Sequence, residues 1–86
     1  MQFSSSKGFK KNFKKMPAKI KQQFKQKIII FLVDEYHSVL NNHKLAGEYG
    51  DYRSINVTGD YRAIYKKLDQ DTVLFIDIGT HSQLYG

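Results

Sequence analysis

Residues 52–78, YRSINVTGDYRAIYKKLDQDTVLFIDI, carry the clearest strand pattern of this 86-residue chain. Apolar and polar side chains alternate over 52–57, which predicts a strand with one buried face. The turn residues at 58–60 predict a hairpin, and 61–67 predicts the returning strand. A second turn precedes the more apolar run 72–78, which predicts a third strand lying centrally. The stretch therefore predicts a three-stranded antiparallel meander.

The half of the chain before this stretch has helical spacing. Serines at 4–6 suit a helix N-cap and precede Phe9, Phe13 and Met16 at i, i+4 and i+7. Pro17 suits a first helical position, so a second helix is expected to begin there. Its apolar stripe continues through Ile20, Phe24, Ile28 and Phe31.

The run 28–33, IIIFLV, has the β-branched composition of a strand, but it continues the helical phase of the preceding stripe and is therefore interpreted as helix. The fold predicted is α+β, an N-terminal αα-hairpin packed on an antiparallel sheet of three to four strands. Met1-Gln2-Phe3 is the candidate fourth strand. The predicted organisation is one domain over 1–86, with the helical hairpin and N-terminal strand in 1–33, a loop at 34–51, and the meander and C-terminal segment in 52–86.

The charge is strongly polarised along the chain. The net charge is +6, from 14 Lys+Arg and 8 Asp+Glu, and residues 1–27 hold nine lysines and no acid. Such a surface attracts a polyanion or an acidic protein. The alternative is a solvated helix face, although a solvated helix usually mixes both signs for i,i+4 pairing.

Composition excludes several classes of protein. The chain has no cysteine, which excludes a disulfide scaffold, a thiolate metal site and cysteine catalysis. Its longest apolar run is too short to span a membrane. No Walker, Rossmann, zinc or Ser-His-Asp pattern is present. We therefore expect a cytoplasmic domain that needs no metal or cofactor and does not associate with a membrane.

Three segments carry a family pattern: HKLAG at 43–47, INVTGDYRAIY at 55–65 and DIGTHSQLY at 77–85. Together they resemble the RelE/ParE toxin superfamily, with the closest similarity to its YafQ-like and RelE/StbE-type mRNA interferases. The resemblance implies the toxin of a type II toxin–antitoxin system. RelE-type members enter the ribosomal A site and cut mRNA there without a metal, whereas ParE-like relatives inhibit DNA gyrase. Both kinds are silenced by an antitoxin that wraps the toxin.

The resemblance implies a catalytic site of five side chains: His81, Arg62, Tyr85, His43 and Asp60. In similar proteins a histidine at the position of His81 transfers protons, as an imidazole can near neutral pH. An arginine at the position of Arg62 binds the scissile phosphate. The aromatic residue at the position of Tyr85 stacks on a base or assists proton transfer. The aspartate orients the histidines.

Each of these residues also has a structural explanation. An ion pair with Asp60 or Asp77 would occupy Arg62 instead of a phosphate. Closure of the core would account for Tyr85, and local turn contacts would account for the two histidines and for the aspartate.

Two positions depart from the YafQ-like pattern. Asn56 stands where similar enzymes have a second strand histidine, and asparagine cannot transfer a proton. Asp77 stands where they have an arginine, and a carboxylate repels a phosphate unless it orients His81 or pairs with Arg62.

The first functional hypothesis is a ribosome-dependent mRNA endonuclease that inhibits translation, with a cognate antitoxin, the ribosome and mRNA as partners. The free toxin is expected to be monomeric. The second hypothesis is a non-enzymatic toxin of the same fold that inhibits a protein such as DNA gyrase, and the third is a plain basic RNA-binding protein. Under the first, the lysines expected to contact ribosomal RNA are Lys10, Lys11, Lys14, Lys15, Lys21 and Lys25.

Overall fold

A strand and two helices precede the rest of the sheet. The computed structural model describes residues 1–46 and 51–85. Residues 47–50, within the predicted loop, and residue 86, within the predicted C-terminal segment, lie outside the described residues. The elements are β1 (Gln2–Ser5), α1 (Lys7–Lys14), α2 (Ala18–Val33), a 3₁₀ turn (Ser38–Leu40), β2 (His43–Lys44), β3 (Tyr52–Asn56), β4 (Tyr61–Lys67), β5 (Thr72–Thr80) and α3 (His81–Tyr85).

The sheet has five strands in the order β1-β5-β4-β3-β2. The predicted meander is confirmed, because β3, β4 and β5 pair antiparallel, and β5 lies between two neighbours. The prediction of an all-antiparallel sheet of three to four strands needs correction. β1 pairs parallel to β5, which the long intervening chain, with two helices and three strands, allows. The two-residue strand β2 adds a fifth strand inside the segment predicted as loop.

Both predicted helices are present. Ser6 caps α1, because its Oγ accepts a hydrogen bond of 3.0 Å from the Phe9 N–H. Pro17 occupies the N-cap of α2, and α2 continues through 28–33. The apolar stripe of α2 is buried at helical spacing, so its phase prevails over the β-branched composition. No helix in the described part of the chain is long and apolar enough to cross a membrane.

The core lies between the two long helices and one face of the sheet. Phe75 of β5 is fully buried, and its ring lies 5.8 Å from that of Phe9 and 5.5 Å from those of Phe24 and Phe31. Tilted and edge-to-face ring pairs of this kind add roughly 0.5–1.5 kcal/mol each beyond the burial of their area. Because one sheet face is devoted to this packing, polar side chains of the strands are left on the other.

A buried polar network fastens the end of α2 to the sheet. The Tyr65 hydroxyl donates to Glu35, whose carboxylate also lies 3.1 Å from the Lys67 ammonium. Asn42 donates to the Tyr65 oxygen at 2.8 Å and accepts from Arg53 at 2.8 Å. Burial raises the pKa of Tyr65 above its ordinary value, and the hydrogen bond to Glu35 raises it further.

Candidate functional site

The strand register sets the face on which the predicted site residues lie. Arg62 of β4 pairs with Asn56 of β3, and His43 of β2 pairs with Ser54 of β3. Directly paired residues share a face, and both β3 residues alternate with Ile55 of the core. Arg62, Asn56 and His43 therefore lie on the sheet face opposite α1 and α2.

The β3–β4 turn meets the start of α3 at one end of the sheet. The His81 N–H donates a 3.0 Å hydrogen bond to the Asp60 carbonyl oxygen. The His81 imidazole is exposed and contacts the Tyr85 ring, with 4.8 Å between centroids. A surface cavity of about 360 Å³ lies here, lined by Asp60, Tyr61, Thr80, His81 and Ser82. The structure thus brings Asp60, His81 and Tyr85 together.

A capping box places His81 at the first position of α3. The Gln83 N–H donates to Thr80 Oγ1 at 3.1 Å, and the Thr80 N–H donates to Gln83 Oε1 at 2.9 Å. The T-x-x-Q spacing of residues 80–83 is the sequence signal of this motif, and it predicts a helix start at His81 that the strand pattern alone does not. A Cβ at Gly79 would lie 2.9 Å from Gln83 Oε1, so a side chain there would displace the Gln83 end of the capping box.

Arg62 fastens the turn that carries Asp60. Its Nη1 donates to three backbone carbonyls, those of Thr58 at 3.1 Å, Gly59 at 2.7 Å and Tyr61 at 3.3 Å. The alternative of an ion pair with Asp60 or Asp77 is wrong: within residues 1–46 and 51–85 the guanidinium has no carboxylate partner. The guanidinium therefore lies at the same end of the sheet as His81.

Asp77 is directed toward α1. Its Oδ1 accepts from Asn12 Nδ2 at 2.7 Å and from the Ile78 N–H at 2.8 Å. A register shift between β4 and β5 just before Asp77 redirects the strand locally. Asp77 therefore neither orients His81 nor pairs with Arg62, contrary to the two roles considered for it.

Two polar groups near the site are buried without partners. Asn56 Oδ1 and the Tyr85 hydroxyl make no hydrogen bond to any described residue. Tyr85 is half-buried and stands outside the hydrophobic core cluster. Its ring contacts His81, whereas its hydroxyl is turned away from solvent.

His43 is not part of this group of residues. It is exposed, and its Nδ1 lies 3.0 Å from the Asn41 carbonyl oxygen. β2 and β5 are three strand spacings apart, about 14 Å, so His43 lies across the sheet from His81.

The described residues contain no group of three His, Asp or Glu side chains that could hold a metal ion.

Five of the lysines singled out from the sequence lie on α1 and α2, and Lys15 follows α1 as its C-cap. Five are exposed and Lys21 is half-buried, and none forms an ion pair with a described residue. They flank the buried apolar stripes and so lie on the side of the sheet away from Arg62. The six are Lys10, Lys11, Lys14, Lys15, Lys21 and Lys25.

Comparison with known proteins identifies the family. No curated protein matches the chain in sequence. E. coli YafQ is 27% identical with a TM-score of 0.74, covering 98% of this chain and 97% of that one. The structure of the E. coli DinJ–YafQ complex matches at 25% identity and TM-score 0.74 over the same shares. A YoeB/ParE toxin from Agrobacterium tumefaciens shares the fold at TM-score 0.78 and 14% identity, covering 94% of this chain and 99% of that one. The family profile described as a bacterial toxin of type II toxin–antitoxin systems, YafQ, matches residues 1–86, and the chain therefore belongs to the YafQ family of type II toxins.

Proposed function

We propose that this toxin is a ribosome-dependent, metal-independent endonuclease of mRNA. The observation that carries the proposal is the grouping of His81, Tyr85, Asp60 and Arg62 at one end of the sheet. Cleavage of a phosphodiester without a metal needs a proton-transfer group and a cation for the developing charge. An exposed imidazole and a guanidinium at the same end of the sheet supply these two groups.

The proposed reaction is internal transesterification of the mRNA. The 2′-oxygen forms a bond to phosphorus as its proton passes to water, and the bond from phosphorus to the 5′-oxygen breaks as that oxygen takes a proton from His81, which solvent then reprotonates. The proton transfer is assigned to His81, the histidine that contacts Tyr85 and the turn carrying Asp60. Arg62 binds the phosphate through Nε and Nη2, because only Nη1 is bonded to the turn carbonyls.

Asp60 contacts the start of α3 through its backbone carbonyl. The 3.0 Å bond from the His81 N–H to the Asp60 carbonyl holds the start of α3 against the turn. Its proposed role is therefore to position His81.

The lysines of α1 and α2 are assigned to ribosome docking. They form a surface without acidic partners on the side of the sheet opposite the Arg62 face. Ribosomal RNA phosphates bind such a surface, which leaves the other face for mRNA.

A toxin that inhibits a protein such as DNA gyrase is the second candidate. Asn56 favours it, since this residue cannot transfer a proton at a position where similar enzymes have a histidine. The engagement of Arg62 by three backbone carbonyls favours it as well.

The deciding experiment incubates purified toxin with a defined mRNA, with and without programmed ribosomes, and maps the new 5′ ends. The proposal expects cuts at the A-site codon only when ribosomes are present. Intact mRNA on ribosomes, together with inhibition of gyrase supercoiling by the same preparation, would establish the second candidate instead.

We further propose an acidic antitoxin as the partner of this chain. E. coli YafQ has been solved in complex with DinJ. In this chain a groove of about 420 Å³ is lined by apolar side chains of β1, α1 and α2, and by Lys10, Lys14, Lys21 and Lys25. An amphipathic acidic segment matches such a groove in both polarity and charge.

Co-expression with any small acidic protein that is encoded beside this gene tests this partnership. The two proteins should co-purify and growth should be restored, and reversal of Lys10 and Lys14 to Glu should weaken the complex more than Lys66→Glu. Failure to co-purify, with toxicity unrelieved, would refute it.

A further inference from the structure

A second cleft adjoins the cavity beside His81. It has a volume of about 450 Å³ and lies between the α1–α2 connection, α3 and the adjoining ends of β4 and β5. Tyr61 lines both this cleft and the smaller cavity that contains Asp60 and His81. The residues that line the larger cleft are Asn12, Lys15, Met16, Pro17, Tyr61, Asp77, Ile78, Gln83 and Leu84.

The cleft combines apolar surface with open hydrogen-bonding atoms. Asp77 Oδ1 is occupied by Asn12 and Ile78, while Asp77 Oδ2 has no hydrogen bond to any described residue. Gln83 Oε1 is occupied by the Thr80 N–H, and Gln83 Nε2 likewise has no partner among the described residues. One acceptor and one donor are therefore available beside the Tyr61 side chain.

We infer that this cleft binds a nucleobase of the mRNA next to the scissile phosphate, and that Asp77 and Gln83 determine which base it accepts. The inference rests on the proposed endonuclease function. Unstacked RNA bases are recognised by contact with aromatic and apolar side chains and by hydrogen bonds to their edges. The lining supplies both kinds of contact.

This assignment gives Asp77 a role that suits a carboxylate. An aspartate repels a phosphate but accepts hydrogen bonds from the amino and imino groups of bases. The residue thus belongs to base recognition, whereas Arg62 and His81 belong to the phosphate.

Base binding is tested on the free protein, without ribosomes. Each of the four ribonucleoside 5′-monophosphates is titrated in turn, and the side-chain amide signals of Asn12 and Gln83 are followed by heteronuclear NMR. We expect these signals to move with at least one nucleotide and to differ among the four, and to stay in place with inorganic phosphate. Signals that do not move, or that move equally with all four nucleotides and with phosphate, would overturn the inference.

Two variants test the specificity residues. Asp77→Asn keeps an Oδ1 for Asn12 and Ile78 but turns the open acceptor into a donor. Gln83→Glu keeps the Oε1 of the capping box but turns the open donor into an acceptor. Asp71→Asn, the same change at an exposed position in the β4–β5 turn, is the control.

Each variant should change the preference among bases by about 5- to 10-fold, in nucleotide affinity and in the base next to ribosomal cut sites. The control should leave both unchanged. If both variants still cut mRNA but keep the base preference of the wild type, the inference is overturned. Absence of cuts by the wild type would refute the proposed endonuclease, and the nucleotide titration would still decide whether the cleft binds bases.

Discussion

His81 is positioned by backbone contacts more than by side-chain partners. Its N–H is bonded to the Asp60 carbonyl, and the capping box of residues 80–83 defines the helix that it starts. Its ring contacts Tyr85 and has no carboxylate partner among the described residues. A phosphate and a leaving oxygen can therefore approach the imidazole from solvent.

Arg62 bonds to the β3–β4 turn and is proposed to bind the scissile phosphate, and its variants should separate these two roles. Arg62→Ala should lower mRNA cleavage by roughly 10²–10⁴-fold, as expected for loss of a group that stabilises the transition state. Arg62→Lys should recover little of it, because a lysine lacks the bidentate fork. The melting temperature of both variants separates loss of phosphate binding from loosening of the turn, with Lys66→Ala as a control. Full cleavage by a folded Arg62→Ala protein would remove Arg62 from the site.

Tyr65 should make the stability of the fold sensitive to alkaline pH. The pKa of Tyr65 is raised in the folded state, whereas an unfolded tyrosine loses its proton at about pH 10. Above that pH the unfolded state binds fewer protons than the folded state, so the free energy of unfolding falls as the pH rises. The contribution of Tyr65 is fully present below pH 10.

Denaturant unfolding of the wild type and of Tyr65→Phe measures this contribution. The variant should be less stable by about 1–3 kcal/mol at neutral pH, because Glu35 loses a buried donor. The difference should narrow as the pH rises above about 10. A constant difference between pH 8 and pH 11 would contradict this account.

The elements with a clear sequence period could be predicted from the sequence, and Met1-Gln2-Phe3 was correctly expected to belong to a strand, but β2 and the parallel pairing of β1 could not be predicted. The stripe of α2 and the alternation of β3 and β4 extend over enough residues for their periods to be recognised. β2 has only two residues, and the parallel pairing of β1 with β5 joins segments about seventy residues apart, so neither has a local signal. The helix α3 does have a local sequence signal, its capping box, because that motif depends on four adjacent residues.

The capping box should hold α3, and with it His81, in place. Gln83→Ala and Thr80→Ala should each cost about 1 kcal/mol locally. Amide exchange over 81–85 should accelerate and cleavage should fall, while Gln83→Glu should preserve slow exchange. Exchange rates in the alanine variants equal to those of the wild type would show that the box does not hold the helix.

The whole molecule has a basic helical side and a sheet face that bears Arg62 and Asn56. The types of the candidate catalytic residues came from the family resemblance, and the charge of the helices from composition. Neither predicted that His43 lies across the sheet from His81, or that Asp77 is bonded to Asn12. Both facts depend on strand order and on a register shift, which are set by contacts between distant segments.

The basic side should control binding to the ribosome. Ribosome affinity should fall steeply with salt, and changing Lys11, Lys14 and Lys15 to Gln should reduce the salt slope by about one unit per lysine. Stability should change little, since these side chains are exposed. The double variant Lys44→Gln, Lys66→Gln, which removes two charges from the sheet, is the control. The change in salt slope is compared per charge removed. A salt slope that the triple change does not alter would contradict electrostatic docking through α1.

His81 is proposed to transfer protons in cleavage of mRNA at the ribosome. This role is tested by mapping mRNA 5′ ends after brief induction of the wild type, of His81→Ala and of His37→Asn, with folding of each protein checked by far-UV dichroism. We expect A-site cuts for the wild type and His37→Asn, and cuts reduced by roughly 10²–10⁴-fold for His81→Ala. A-site cuts of equal abundance in a folded His81→Ala protein, or no cuts with a toxic wild type, would show that His81 does not have this role.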